Sequence, residues 1–166
     1  MNPHAYLFVD GSSSARNDIG AWAAVAIMPS GQRKLLYGMA YPTTISRCEL
    51  IPIIEGLRWI GKEWSNGVGF RVTVYSDSEY TVKTLCGLYA RRKNNDLWIG
   101  LDEVAMRMVV TYKWRERNSL PHMELCDWIC TAIRKNCYKM ADEWFGKDNI
   151  LKPEVAIPPE LLIDDK

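Results

Sequence analysis

The chain has no CxxC pair, no internal repeat, no low-complexity segment, and no apolar run of the ~18 residues that a membrane-spanning helix needs. Its net charge is only +1 at pH 7. No molecule-wide field therefore draws in a partner of either sign, and contact with a polyanion must come from local patches. Met1-Asn2-Pro3-His4 leads straight into a strand-like run with no basic and apolar leader ahead of it, which predicts a chain without a secretory signal. The odd set Cys48, Cys86, Cys126, Cys130 and Cys137 predicts a reduced, intracellular, cytoplasmic protein rather than a disulfide scaffold. His122, Cys126 and Cys130 recur every four residues on one predicted helix face. Each step climbs ~6 Å, so the three cannot converge on one ion, and buried inert cysteines are the reading.

What is present describes a soluble globular domain. With 166 residues, 48% hydrophobic and 25% charged, the chain can bury a full core. The predicted domain covers residues 1–145. Residues 146–166 carry Pro153, Pro158 and Pro159 and form a predicted extended tail. Within it Leu161-Leu162-Ile163, flanked by Glu160 and Asp164-Asp165, is expected to dock on its own domain or on a protein partner.

Residues 5–9, 21–28 and 34–40 read as three strands joined by turn-rich connections, which implies an antiparallel meander. A helix follows, its apolar face Leu50, Ile53, Ile54, Leu57, Ile60 and Trp64. Asn66-Gly67-Val68-Gly69 breaks it. Residues 71–76 read as a fourth strand, parallel to the first because a helix separates it from the third. Short helices over 78–88 and 96–108 flank the basic stretch Arg91-Arg92-Lys93. A fifth strand covers 108–114, and a long helix opens at Pro121. The fold class is α/β: a five-stranded mixed sheet, three antiparallel strands then parallel ones, flanked by helices.

On that frame four carboxylates sit at the ends or starts of predicted elements. Asp10 closes the first strand, Asp77 closes the fourth, Glu49 opens the first helix, and Asp127 lies in the last. Burying acids is costly unless a counter-charge compensates, and a divalent metal is the usual one. Four converging carboxylates suit a pair of Mg²⁺ ions and phosphodiester chemistry. Each also has a plain structural reading. Asp10-Gly11 can be a turn, Ser46-x-x-Glu49 a capping box, Asp77-Ser78 a helix N-cap, and Asp127 a solvated helix acid. Pro52, three residues after Glu49, kinks a helix that begins near Thr44 and costs less in one that begins at Ser46. The tryptophans read as packing residues rather than base-stacking platforms.

In register, these motifs resemble ribonuclease H of type 1. Phe8-Val9-Asp10-Gly11-Ser12 resembles the first-strand signature, and Thr43 to Leu50 resembles the first-helix start. Tyr75-Ser76-Asp77-Ser78-Glu79-Tyr80 is similar to the Thr-Asp-Ser-Gln-Tyr turn, and Asn95-Asp96-Leu97-Trp98 to a later helix opening. Trp114 to Asn118 and Cys126-Asp127 resemble the last strand, its loop and the final Asp-bearing helix. The resemblance spans about residues 5–140 and implies a ribonuclease H-like fold in a monomer. It implies hydrolysis of the RNA strand of RNA/DNA hybrids with two Mg²⁺ or Mn²⁺ ions. Asp10 would bridge both ions, Asp127 would help hold the nucleophile side, and Glu49 and Asp77 the leaving-group side. His122 would shuttle protons. Ser12, Ser46, Glu79 and Asn118 become substrate contacts, and Thr44 a donor to a DNA phosphate.

The chain also departs from the pattern. Glu79 replaces a common Gln, Ser46 an amide, and Asn118 the loop histidine, with His122 four residues on; the basic protrusion is short. A resolvase or exonuclease on the same fold is the nearest alternative. A non-catalytic hybrid-binding scaffold is the alternative from another class. Gly11-Ser12 after Asp10 lacks the Asp-x-Glu that a proofreading exonuclease would carry.

Overall fold

The computed structural model describes residues 3–14, 18–64 and 69–144, with residues 136–144 described as backbone. The elements run β1 (His4–Ser13), β2 (Gly20–Ile27), β3 (Arg33–Ala40), α1 (Ile45–Glu63), β4 (Phe70–Ser76), α2 (Glu79–Leu85), α3 (Asn95–Ala105), β5 (Met108–Trp114) and α4 (Pro121–Trp144). The sheet order is β3-β2-β1-β4-β5. β1, β2 and β3 pair antiparallel, and β4 pairs parallel to both β1 and β5. This is the mixed sheet that the sequence predicts. Residues 146–166 and the predicted break over 66–68 lie outside the described residues.

Strand alternation builds two cores. Ala5, Leu7 and Val9 face α1, where they meet Leu50, Ile53, Ile54, Leu57 and Ile60, with Val72 and Val74 of β4 beside them. Phe8, Ala21, Ala23 and Val25 face the other way, onto Met123, Cys126, Ile129, Cys130 and Ile133 of α4. Gly56 sets the α1–β1 spacing: a Cβ there would lie 2.4 Å from Leu7 Cδ1. Among the described residues no helix is long and apolar enough to cross a membrane.

Three local expectations change. β1 does not end at Asp10 but continues to Ser13, because β2 goes on pairing with it after β4 stops at Tyr75 opposite Phe8. α2 is shorter than predicted and ends at Leu85, before Gly87 at φ 80°. The capping residue of α1 is Thr44, whose hydroxyl accepts from the Arg47 backbone N–H at 3.5 Å, so Ser46-x-x-Glu49 is not a capping box. Pro52 lies inside α1, which runs as one helix through it.

Candidate active site

The end of β1 supplies the first acid. Asp10 lies opposite Ala23 of β2, two residues past the last β1–β4 pair. There β1 and β4 part company, and Asp77 follows directly on the end of β4. Glu49 reaches the same place from the first turns of α1 because Gly11 lets the helix in. A Cβ on Gly11 would lie 2.3 Å from the Cys48 carbonyl oxygen and 2.8 Å from the Glu49 nitrogen. Pro52 has no N–H to offer that Cys48 carbonyl, so strand and helix meet at a point where the helix ladder lacks a donor.

Carboxylate oxygens of Asp10, Glu49 and Asp77 come within 4.8 Å of one another. Asp10 and Glu49 are buried. Burial, followed by the charges of Asp77 and Asp127, pushes the Asp10 carboxyl up to about 8. Burial and then the Asp10 charge push Glu49 well above its ordinary value. Asp77 is raised as well, by burial first, with Arg117 pulling it down. Three acids held this close resist ionising together unless positive charge arrives.

The donor set fits a divalent cation. All the donors are hard oxygens, and Glu49 Oε2 is buried without a hydrogen-bond partner. An orphaned carboxylate oxygen aimed into an acidic cluster is costly in an apolar site and favourable beside a metal.

The fourth predicted acid is placed differently. Asp127 lies near enough to raise Asp10 electrostatically, yet it is not among the three converging donors. Its Oδ1 accepts from Arg117 Nη2 at 2.8 Å. Arg117 also lowers Asp10, Glu49 and Asp77 through its charge. Sequence reasoning did not single out this residue. A loop cation ten positions ahead of an acid is a recognisable signal only once the loop is known to turn back onto α4.

His122 is not among the three converging donors. Cys126 and Cys130 donate to the Phe8 and Asp10 carbonyls at 3.6 Å each, so α4 advances along β1 toward the site. His122, one turn before Cys126, stacks on Phe8 with ring centroids 4.7 Å apart. Burial and Arg33 lower its pKa, and no acid of the cluster acts on it.

The predicted substrate contacts lie around the cluster. Ser12 continues β1 beyond Asp10. Thr44 stands exposed and Ser46 half-buried at the start of α1, their hydroxyl oxygens 3.2 Å apart. Asn94 Nδ2 donates to Ser46 Oγ at 3.3 Å, and Arg47 pairs with Asp96 at 2.7 Å, which ties the start of α1 to that of α3. Glu79 is engaged by Lys83 at 2.9 Å. Asn118 turns the loop in the left-handed region at φ 55°. Arg91 stacks on Trp98 at 4.5 Å and pairs with Asp102; with Arg92 and Lys93 it rims a cavity of about 280 Å³ between α1, α2 and α3.

Comparison with known proteins agrees with this frame. The RNase H family model matches residues 2–115. A ribonuclease H from Cupriavidus metallidurans is 33% identical over 135 residues, covering 73% of this chain and 88% of its own. Ribonuclease HI of Synechocystis is 26% identical over 156 residues, covering 85% and 94%. An N-terminal RNase H domain from Mycobacterium tuberculosis shares the fold at a TM-score of 0.72 and 16% identity, over 84% of this chain and 99% of that one. RNase H1 of Halobacterium salinarum does so at 0.64 and 15%, over 80% and 98%. Fold and acidic cluster together define a nuclease of the ribonuclease H class. The chain belongs to the type 1 ribonuclease H family and is an endoribonuclease.

Proposed function

We propose that the enzyme hydrolyses the RNA strand of RNA/DNA hybrids and that two divalent ions, Mg²⁺ or Mn²⁺, are held by Asp10, Glu49, Asp77 and Asp127. The observation that carries this reading is the convergence of Asp10, Glu49 and Asp77 within 4.8 Å, with Glu49 Oε2 buried and unpartnered. When bound, such ions supply Lewis acidity and lower the pKa of the attacking water.

The chain's own residues do the remaining work. Asp10, raised to about 8, holds a proton near neutral pH and releases it as the site is loaded. Arg117 tempers the negative field and holds Asp127 in place until then. The exposed Thr44 and half-buried Ser46, in the first turn of α1 ahead of Glu49, suit contacts with phosphate and 2′-hydroxyl groups of a hybrid passing over the start of α1. Glu79, neutralised by Lys83, adds less negative charge there than its bare side chain would.

The test is cleavage of labelled RNA/DNA hybrid with Mg²⁺ or Mn²⁺, beside single-stranded RNA, duplex RNA and duplex DNA, for the protein and for Asp10→Asn. Hybrid-restricted RNA cleavage, abolished by the substitution, supports the reading. Cleavage of DNA moves the enzyme to the resolvase or exonuclease alternative. No cleavage with either metal leaves a scaffold.

A further inference from the structure

One half of the sheet is uncovered. α4 packs over β1, β2 and β3. On that same side β4 and β5 expose Arg71, Val109, Thr111 and Lys113, with Tyr75 half-buried and Thr73 buried against His4, because their alternate residues face the side of α1, α2 and α3. Cross-strand pairing sets these in rows: His4, Arg71 and Val109; Tyr6, Thr73 and Thr111; Phe8, Tyr75 and Lys113. Tyr6 is 39% exposed and Val109 53%. Neither β4 nor β5 carries a carboxylate. Arg71 and Lys113 make no ion pair among the described residues, and Arg115 lies over the Tyr75 ring at 5.2 Å. The surface is flat, partly aromatic and cationic.

The chain itself contains the complementary segment. From Pro153 to Asp165 there are four acids, Glu154, Glu160, Asp164 and Asp165, and no cation, with Val155, Ile157 and Leu161-Leu162-Ile163 between them. Pro153, Pro158 and Pro159 disfavour helix and suit an extended strap. The reach is sufficient. α4 ends at Trp144, ~21 Å past Cys130 at 1.5 Å per residue. The return to the His4 row adds another ~20 Å along β1 at 3.3 Å per residue, plus two ~4.8 Å strand spacings across. Leu161 follows Trp144 by about 17 residues, a span of up to ~55 Å when extended.

We propose that residues 153–165 dock in cis on the open face of β4 and β5. Leu161-Leu162-Ile163 cover Tyr6 and Val109, and the flanking acids pair with Arg71, Lys113 and Arg115. Such a strap covers one face of β5, one of the two edge strands of the sheet.

The test is hydrogen exchange of the Val109–Lys113 amides, read in the full chain, in a chain ending at Lys147, and in Asp164→Lys/Asp165→Lys. The charge reversal guards against a truncation that merely unfolds. Exchange about five-fold slower in the full chain than in either variant, with protection recovered when Arg71→Glu/Lys113→Glu is added to the reversed tail, supports the docking. Equal exchange in all three overturns it. Protection that grows with protein concentration overturns it in favour of a second copy on the face. Protection that requires an added single-stranded oligonucleotide, whatever the tail, overturns it in favour of a nucleic-acid platform.

Discussion

Arg117 Nη2 donates to Asp127 Oδ1 at 2.8 Å, so this carboxylate, unlike the converging Asp10, Glu49 and Asp77, is paired with a cation. A divalent ion that recruits Asp127 competes with Arg117 for the carboxylate and meets the nearby positive charge. Arg117 is 69% exposed and Asp127 23%, so solvent screening keeps the pair to about 1 kcal/mol or less. Arg117→Ala is therefore expected to bind Mn²⁺ about two- to five-fold more tightly by calorimetry. Arg117→Lys should fall between. Equal or weaker affinity in the alanine variant would mean that Arg117 does not compete with the metal.

The raised acids give the metal-free protein a definite pH dependence. The Asp10 carboxyl moves from 3.8 up to about 8 on folding, so the folded chain holds up to about one more proton than the unfolded chain across that window. A carboxyl raised in this way leaves stability unaffected below pH 4 and costs progressively more as pH rises through about 8. In EDTA the melting temperature should fall from pH 5 to pH 8.5. Asp10→Asn should flatten the fall, and saturating Mg²⁺ should offset it in the parent but not in the variant. Thermal melts at the two pH values check all three.

Gly11 is a structural gate for the site. A methyl group there meets backbone at 2.3 Å from the Cys48 carbonyl oxygen, so no side-chain rotation relieves it, and α1 must move off β1. Gly11→Ala is expected to lose about 1–3 kcal/mol. It should also lose metal affinity, since Glu49 moves with the helix. Denaturant melts and Mn²⁺ calorimetry on one preparation measure both. Unchanged metal affinity would show that Glu49 reaches the acids independently of that contact.

Most of the frame was legible in the sequence for a local reason. Ala5 to Val9, Val72 to Ser76 and the stripe from Leu50 to Ile60 carry their periods in a few consecutive residues, and the helix between β3 and β4 implied the parallel return. Non-local facts were not legible. β1 outlasts its predicted end at Val9 because β2 keeps pairing with it through Ser13. Thr44 rather than Ser46 caps α1 because the chain enters the helix two residues earlier. Asp10 and Asp77 could be placed together from the strand order, and Glu49 joined them through the resemblance, whereas the Arg117–Asp127 pair depends on how a loop closes, which no periodicity reports.

For His122 the resemblance implies a proton shuttle, while its visible partner is a core ring. Its ring stacks on Phe8 at 4.7 Å, one helical turn before the residue that caps the Phe8 carbonyl, and its pKa is lowered by burial and Arg33 rather than raised by the acids. A histidine so placed packs in the α4–β1 contact. His122→Ala is expected to keep kcat within about three-fold, with the shape of the pH–rate profile unchanged. It should lower stability by about 0.5–1.5 kcal/mol through the lost ring stack. Hybrid cleavage from pH 6 to 9, run beside a denaturant melt, decides the matter: a hundred-fold loss of rate with the melt unchanged would place the imidazole at the reaction instead.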